Sequence, residues 1–154
     1  WGTKAATPPA GVFTQVSGLD LHLCGVRADH VAVCWRDSGD GIPSVPTGSY
    51  AHISAGSGHA CAIRTDGTVT CWGAHDQGQD NVPDGVYLKI SSGASHSCAL
   101  KADGTATCWG SDQFGQSEDP SGTFDDVQAG DGYSCGLRPD GAVVCWGRQA
   151  SCCS

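Results

Sequence analysis

Hydrophobic and polar residues alternate over short stretches of the chain, and turn-forming residues separate these stretches. Residues 87–93 read Tyr-Leu-Lys-Ile-Ser-Ser-Gly, residues 97–101 read Ser-Cys-Ala-Leu-Lys, and residues 105–110 read Thr-Ala-Thr-Cys-Trp-Gly. Alternation with a period of two, bounded by Gly, predicts a β-strand in each case. The Ala-Asp-Gly at residues 102–104 predicts a hairpin loop with Gly in the left-handed position.

The same order of strand, hairpin and loop recurs every 37 residues. Eight of the ten Cys residues form four pairs with nine residues between the members: Cys24 and Cys34, Cys61 and Cys71, Cys98 and Cys108, Cys135 and Cys145. A Trp follows the second Cys of every pair, at Trp35, Trp72, Trp109 and Trp146. Self-similarity at a fixed period is typical of repeat architectures. The chain therefore predicts four copies of one unit.

The spacing within each Cys pair predicts a disulfide across the hairpin. With a loop at residues 102–104, residues 101 and 105 close the hairpin, and three further steps place Cys98 opposite Cys108. Alternation makes this a non-hydrogen-bonded pair, whose Cα atoms lie about 4.5 Å apart, within reach of a disulfide. The other three pairs follow the same count. Zinc is the competing explanation, but structural zinc sites use tighter Cys spacings, so disulfides are favoured.

Composition narrows the fold to the all-β class. Gly contributes 23 of 154 residues and Leu only six, which cannot supply the apolar faces of a helical bundle. Ten Cys residues favour an oxidising compartment. With 16 acidic against 8 basic residues, no nucleic acid partner is expected, and no apolar run is long enough for a membrane span. A chain without Met is expected to be a processed form or a piece of something longer.

Two motifs resemble a known repeat family. Residues 53–63, Ile-Ser-Ala-Gly-Ser-Gly-His-Ala-Cys-Ala-Ile, are similar to the signature of the regulator of chromosome condensation repeat. Residues 72–79 and 109–116 resemble its loop, in which Trp-Gly is followed by four residues and then Gly-Gln. The 37-residue period is similar to the short-bladed secreted branch represented by β-lactamase inhibitory protein type II, and extracellular domains of some plant receptor kinases carry a comparable Cys-Trp-Gly version. The resemblance implies a β-propeller-like array that acts by protein contact and not by chemistry.

Under this resemblance the chain divides into a leading segment, four blades and a Cys-containing tail. We place them at residues 1–15, 16–52, 53–89, 90–126, 127–147 and 148–154. Each blade is expected to be a three- to four-stranded antiparallel sheet with a hairpin disulfide. The family usually has seven blades, whereas this chain has four units, of which the first is degenerate. Cys61, Cys98 and Cys135 stand where the family signature has an aliphatic residue, which fits the disulfide.

Two patterns suggest chemistry, and each has a structural alternative. One repeat position holds His22, His59, His96 and Tyr133. Imidazoles could form a metal funnel, but hydrogen bonds to loop backbone in each blade are the favoured interpretation. Residues 132–136, Gly-Tyr-Ser-Cys-Gly, match a serine hydrolase motif without the helix that it needs, so the match is interpreted as accidental. The loop Asp residues lack the spacing of a Ca²⁺ site. We predict no enzyme, no metal and no cofactor.

One set of loop residues is predicted as a binding surface. Equivalent loops carry His75, Asp76, Asp112, Gln113 and Phe114. Aromatic and polar side chains on connecting loops are typical of binding surfaces. The alternative is that the Phe packs under its own loop.

The ends of the chain predict self-assembly. An array with too few blades to close leaves unpaired edges, which recruit other chains. Trp1 resembles the end of a preceding blade, and Cys152 and Cys153 lie beyond the last hairpin, where bonds to another chain are expected. We therefore predict an extracellular or cell-surface structural protein that binds other copies of itself. The alternative is a secreted monomeric module, an inhibitor or lectin-like domain, that binds another protein or a glycan on a closed propeller.

Overall fold

Twelve β-strands make up the part of the chain that the computed structural model describes, residues 9–19, 22–36 and 44–148. The first two sheets contain β1 (Phe13–Leu19), β2 (His22–Arg27), β3 (Ala32–Arg36), β4 (Tyr50–Ala55), β5 (His59–Arg64) and β6 (Val69–Gly73). The last two contain β7 (Tyr87–Ser92), β8 (His96–Lys101), β9 (Ala106–Gly110), β10 (Asp126–Ala129), β11 (Tyr133–Leu137) and β12 (Val143–Gly147). Each sheet is a three-stranded antiparallel meander in chain order, which confirms the all-β class and the blade-like repeat.

The hairpin of each blade has the register that the Cys spacing predicts. Cys98 lies opposite Cys108 with Cα atoms 4.1 Å apart, and a disulfide joins them. The Lys101 amide donates to the Thr105 carbonyl across 3.0 Å, and Gly104 adopts a φ of +81°, which favours Gly at that position. The same bridge joins Cys24 to Cys34, Cys61 to Cys71 and Cys135 to Cys145. The four predicted disulfides are thus confirmed.

Each blade packs on the next through two chemically different faces. The forward face of a blade carries its disulfide and aliphatic residues of its second and third strands, whereas the back face carries the aromatic residues. Between the second and third blades, Cys61 and Ile63 of the forward face pack with Tyr87, Ala99 and Trp109 of the back face. The joint between the first and second blades and the joint between the third and fourth blades combine the same kinds of residues. The hydrophobic core therefore lies between the blades.

The first strands of the four sheets converge on the centre of the array. Backbone amides in the first strand of one blade donate hydrogen bonds to serine hydroxyls in the first strand of the preceding blade. The N···O distances are 2.9–3.1 Å. The donor and acceptor pairs are Ala55 with Ser17, Ser92 with Ser54, and Ala129 with Ser91. These strands line a central cleft of about 620 Å³. In the described part of the chain, the first and fourth sheets do not pair, so the array is open.

Candidate protein-binding surfaces

The blades have two ends of different character. At the loop end, the turn between the first two strands meets the loop that follows the third strand, as the Ala74 amide donates to the Gly58 carbonyl across 2.8 Å. At the hairpin end, the hairpin loop meets the segment that enters the first strand, as the Thr65 amide donates to the Ser49 carbonyl across 3.0 Å. The predicted binding residues lie in loops that start at the loop end: His75, Asp76, Asp112, Gln113 and Phe114.

The Gly-Gln motif gives these loops a rigid base. Gln79 Oε1 accepts the Gln77 amide across 2.8 Å, and one repeat later Gln116 Oε1 accepts the Phe114 amide across 2.8 Å. Both glutamines are 3 % exposed. Because the glutamine of the motif is buried and holds the loop backbone, the variable residues before it remain exposed to solvent.

Phe114 is the main apolar group at the loop end. The side chain is 45 % exposed, and the Arg148 guanidinium lies 4.8 Å from the ring centroid. It therefore lies beside the fourth blade and does not pack fully under its own loop. The other four predicted loop residues are also exposed: His75, Asp76, Asp112 and Gln113. Their part in binding stays a prediction.

The His row lies in the joints between the blades. His59 Nε2 pairs with Ser97 Oγ across 2.9 Å, and His96 Nε2 pairs with Ser134 Oγ across 2.7 Å. Each serine belongs to the following blade, so the expected hydrogen bond to loop backbone is replaced by a bond across the joint. Burial lowers the pKa of both imidazoles to about 4, which keeps them neutral near pH 7.

The joint between the first two blades lacks this pair. Ala60 occupies the repeat position of Ser97 and Ser134, so it offers no hydroxyl to His22. A small cavity is lined by both His22 and Ala60. In the fourth blade Tyr133 replaces the His. Across residues 9–19, 22–36 and 44–148, no group of three His, Cys, Asp or Glu side chains is placed to hold a metal ion.

The serine of the hydrolase-like motif lies beside a histidine, but inside a buried joint. Ser134 and His96 are both 0 % exposed, and Ser134 Oγ also donates to the Gln116 carbonyl across 2.9 Å. Ser134 lies within β11, and His96 Nδ1 has no partner among the described residues. A hydrolase of this kind needs an accessible serine at a strand-to-helix turn. This pair instead holds two blades together.

Among the described residues, the first and last blades each have one face that no other blade covers. On the forward face of the fourth blade Leu137 is 40 % exposed, although Leu100 at the same position of the third blade is 3 % exposed. On the back face of the first blade Val16 is 62 % and Leu23 39 % exposed, whereas Ile53, the equivalent of Val16, is 1 % exposed. Together the two terminal faces carry the same kinds of residues as the two faces that meet between neighbouring blades inside the chain.

The sequence predicted the place of these faces but not their residues. Trp1, Cys152 and Cys153, the residues predicted for assembly, lie outside the described residues. Apolar residues of the terminal faces, Leu137 and Val143 among them, were missed. Each occupies a repeat position that is buried in an inner blade. The repeat positions of the sequence therefore contained a signal that could have identified these residues. Which positions face a neighbour, however, follows only from the packing.

The chain belongs to the family of the regulator of chromosome condensation (RCC1) repeat. Residues 50–79, 88–116 and 124–151 match this repeat, and the matches begin close to β4, β7 and β10. The strands of the degenerate first unit, β1 to β3, lie outside the matched residues. The resemblance of the motifs to this repeat is thus confirmed, whereas the similarity to the branch of β-lactamase inhibitory protein type II stays an expectation. No curated protein matches the chain in sequence.

Solved structures share the fold. The ectodomain of the Physcomitrella patens receptor kinase CR4 is 28 % identical, with a TM-score of 0.78 over 90 % of this chain. The CRINKLY WD40 ectodomain of the Arabidopsis thaliana receptor kinase ACR4 is 30 % identical, with a TM-score of 0.77 over 92 %. Yeast RCC1 (Prp20), solved with Kap60, is 17 % identical, with a TM-score of 0.76 over 92 %, which shows the fold alone. This chain spans 42 %, 58 % and 45 % of those three chains.

The fold and the family define a repeat protein of the RCC1 type, related to receptor ectodomains. Such an arrangement suits protein–protein contact, because its variable residues lie on exposed loops and faces held by a rigid frame. None of the described residues form a helix long and apolar enough to cross a membrane.

Proposed function

We propose that the protein is an extracellular protein-binding repeat that associates with other copies of itself through its terminal blades. The match between the two uncovered faces carries the proposal. Leu137 and Val143 occupy positions that pack on the following blade at inner joints, and Val16 and Leu23 occupy positions that are covered there. Because the faces differ, the forward face of one copy meets the back face of the next.

Two further observations support this function. Four disulfides are typical of proteins outside the cytosol, and two of the structural relatives are receptor ectodomains. Covering a few hundred Å² of apolar surface at about 25 cal/mol per Å² stabilises a contact by several kcal/mol. The proposal assigns no catalytic residue and no cofactor to the chain.

Light scattering on the full chain tests self-association. We expect a mass that rises with concentration to multiples of 15.7 kDa. Val143→Asp on the forward face and Val16→Asp on the back face each place a charge in the contact, so each variant should remain at 15.7 kDa. A mixture of the two variants should form a dimer and nothing larger, because one copy keeps its forward face and the other its back face.

Val86→Asp is the matched control, since Val86 is 57 % exposed and belongs to neither terminal face. It should leave the mass unchanged. Removing residues 1 and 2 together with Cys152→Ser and Cys153→Ser tests whether Trp1 and the tail cysteines strengthen the contact. A wild-type mass of 15.7 kDa at every concentration would contradict self-association.

The loop end supports a second function, in which a monomer binds another protein or a glycan. The exposed Phe114 ring is the observation that favours it. Binding of the monomer on a glycan or protein array, lost in Phe114→Ala and kept in Val86→Asp, would support this function. Binding that survives Phe114→Ala would exclude Phe114 from the surface.

A further inference from the structure

Hydrogen bonds at the centre of the array run from each blade to the blade before it. The Ala55 amide donates to Ser17 Oγ across 3.1 Å. Two residues earlier, the Ile53 amide donates to Gln15 Oε1 across 3.0 Å. In both bonds the acceptor lies 38 residues before the donor. The first strand of one blade thus presents amide donors, and the first strand of the preceding blade presents side-chain acceptors.

The two ends of the array carry the same donor and acceptor positions, on the faces that no other described blade covers. On the first blade the donors are the Val16 and Gly18 amides, which occupy the repeat positions of the two donors above. On the fourth blade the acceptors are Asp126 and Gln128, which occupy the repeat positions of the two acceptors. The two halves of an inter-blade contact are therefore present at opposite ends of the chain.

Both acceptors of the fourth blade keep the capacity to accept a further hydrogen bond. Gln128 is exposed, and its Oε1 accepts the Ser91 hydroxyl across 3.3 Å. A side-chain amide oxygen has two lone pairs, so one remains. Lys89 Nζ lies 3.6 Å from Asp126 Oδ1, and a carboxylate has about four acceptor positions. Neither acceptor has to lose its partner in this chain to bind an amide of another copy.

A second pair of repeat positions differs at both ends of the array. At the inner joints, His59 and His96 each pair with a serine of the following blade. Tyr133 takes the position of the histidine on the fourth blade, and Leu23 takes the position of the serine on the first blade. Tyr133 is half-buried and Leu23 is 39 % exposed. An aromatic ring and an aliphatic side chain favour contact with each other through their apolar surface.

A glycine of the first blade makes room for Leu23. Gly18 lies opposite Leu23 in the sheet, and a Cβ on Gly18 would lie 2.5 Å from Leu23 Cδ2. The other three units, which have a small residue in place of Leu23, carry a Cβ at the Gly18 position: Ala55, Ser92 and Ala129. The first blade is thus adjusted at two positions to present a leucine on its uncovered face.

We infer that the fourth blade of one copy meets the first blade of the next in the register of an inner joint. In this contact Tyr133 packs on Leu23. Gln128 accepts the Gly18 amide, and Asp126 accepts the amide two residues before it. The inference rests on the self-association proposed above and adds the residues that select the partner. A histidine placed against Leu23 would have no hydroxyl to pair with, so the end faces favour each other over the faces of an inner joint.

Exchange of the Tyr133–Leu23 pair tests the inference by sedimentation equilibrium of the full chain. Leu23→Ser and Tyr133→His each introduce a residue that inner blades carry. Each should raise the dissociation constant of self-association roughly tenfold, because an apolar partner is lost. The double variant has a His–Ser pair across the contact and should return to within about threefold of the wild type. Losses that add in the double variant would contradict the pairing.

Gln128 provides a test at an exposed position that does not depend on the apolar pair. Gln128→Ala should raise the dissociation constant roughly fivefold, because the Gly18 amide loses its acceptor. Gln128→Ser introduces the acceptor of the other three units and should stay close to the wild type. The matched control is Gln77→Ala, since Gln77 is an exposed glutamine of a loop outside both terminal faces, and it should change nothing.

Failure of the inference differs from failure of the proposed function. A wild-type chain that associates, with the same dissociation constant in Leu23→Ser, Tyr133→His and Gln128→Ala, would overturn the register and leave self-association standing. A wild-type chain that stays at 15.7 kDa at every concentration would contradict self-association itself, and the inference with it.

Discussion

Single side chains decide how firmly one blade holds the next. Ser97 and Ser134 each pair with the imidazole of the preceding blade, whereas Ala60 has nothing to offer His22. A hydroxyl–imidazole pair inside a joint satisfies two buried polar groups at once. His22 is half-buried, and the first joint has no hydroxyl–imidazole pair of this kind.

Ala60→Ser should supply the missing hydroxyl at the first joint. We expect the free energy of unfolding, measured by urea denaturation, to rise by about 1 kcal/mol. Ser97→Ala is the opposite change at the second joint and should lower it by about 1–3 kcal/mol, because His59 loses its partner. A loss of stability in Ala60→Ser would mean that the first joint is not built like the others.

The buried imidazoles make stability depend on pH. Burial lowers the pKa values of His59 and His96 to about 4, from 6.5 in the unfolded chain. Between these values the unfolded chain binds more protons than the folded one. Their contribution is therefore complete above about pH 6.5 and declines on acidification, by up to about 1.4 kcal/mol per pH unit for each His.

Denaturation at several pH values between about 5 and 7.5 measures this slope, in a range above the titration of the turn carboxylates. His59→Gln should reduce the slope, because one of the two buried imidazoles is gone. His75→Gln, at an exposed loop residue, should leave it unchanged. A wild-type free energy of unfolding that stays constant over this range would refute the assignment.

Each hairpin is closed by its own disulfide, and most hairpins are also covered by a neighbour. The Cys residues are separated by 10 positions in all four hairpins, so each crosslink restricts the unfolded chain equally, by about 2.8 kcal/mol in the chain-entropy model. The extent to which a neighbouring blade buries the disulfide differs, since Cys61 and Cys98 are 0 % exposed whereas Cys145 is exposed. The hairpins therefore differ in packing and not in loop length.

Replacing both Cys61 and Cys71 with Ala should cost more stability than the same change at Cys135 and Cys145. The inner pair packs against the third blade, so its removal also leaves a cavity, which we expect to add about 1–2 kcal/mol. Guanidinium denaturation of the two double variants gives the comparison. Equal midpoints and slopes would show that the sulfur atoms do not contribute to the joint.

At the scale of the whole molecule, the main packing between strands of different blades joins each described blade to its neighbours along the chain. This chain spans about half of the solved chains that share its fold, and its first and fourth sheets do not pair in the described residues. Stability in such arrays is close to a sum over units and joints. The chain also carries a net charge of −8, which acts on the approach of any second copy.

Self-association through apolar terminal faces should become tighter as salt is added. Two copies of charge −8 repel each other, and the Debye length falls from about 30 Å at 0.01 M to about 8 Å at 0.15 M salt. Analytical ultracentrifugation at these two ionic strengths should therefore give a lower dissociation constant at the higher one. Weaker association at the higher salt would contradict an apolar contact and indicate pairing of charges.

The sequence by itself determined the unit and its internal register. The 37-residue period, the hairpin loop ending at Gly104 and the pairing of Cys98 with Cys108 depend on residues close together in the chain. Turn geometry and alternation fix such local relations before any blade packs. The family motifs are equally local, which is why they were recognised from the sequence.

Only the tertiary structure decided which residues of different blades meet. Alternation places Cys98 and Leu100 on one side of a strand, but it does not say that Phe124 of the next blade covers them. The partner of His96, Ser134, is 38 residues away in the following blade. These contacts depend on how one sheet packs against the next, and alternation within a strand does not specify which residue of another blade lies against it.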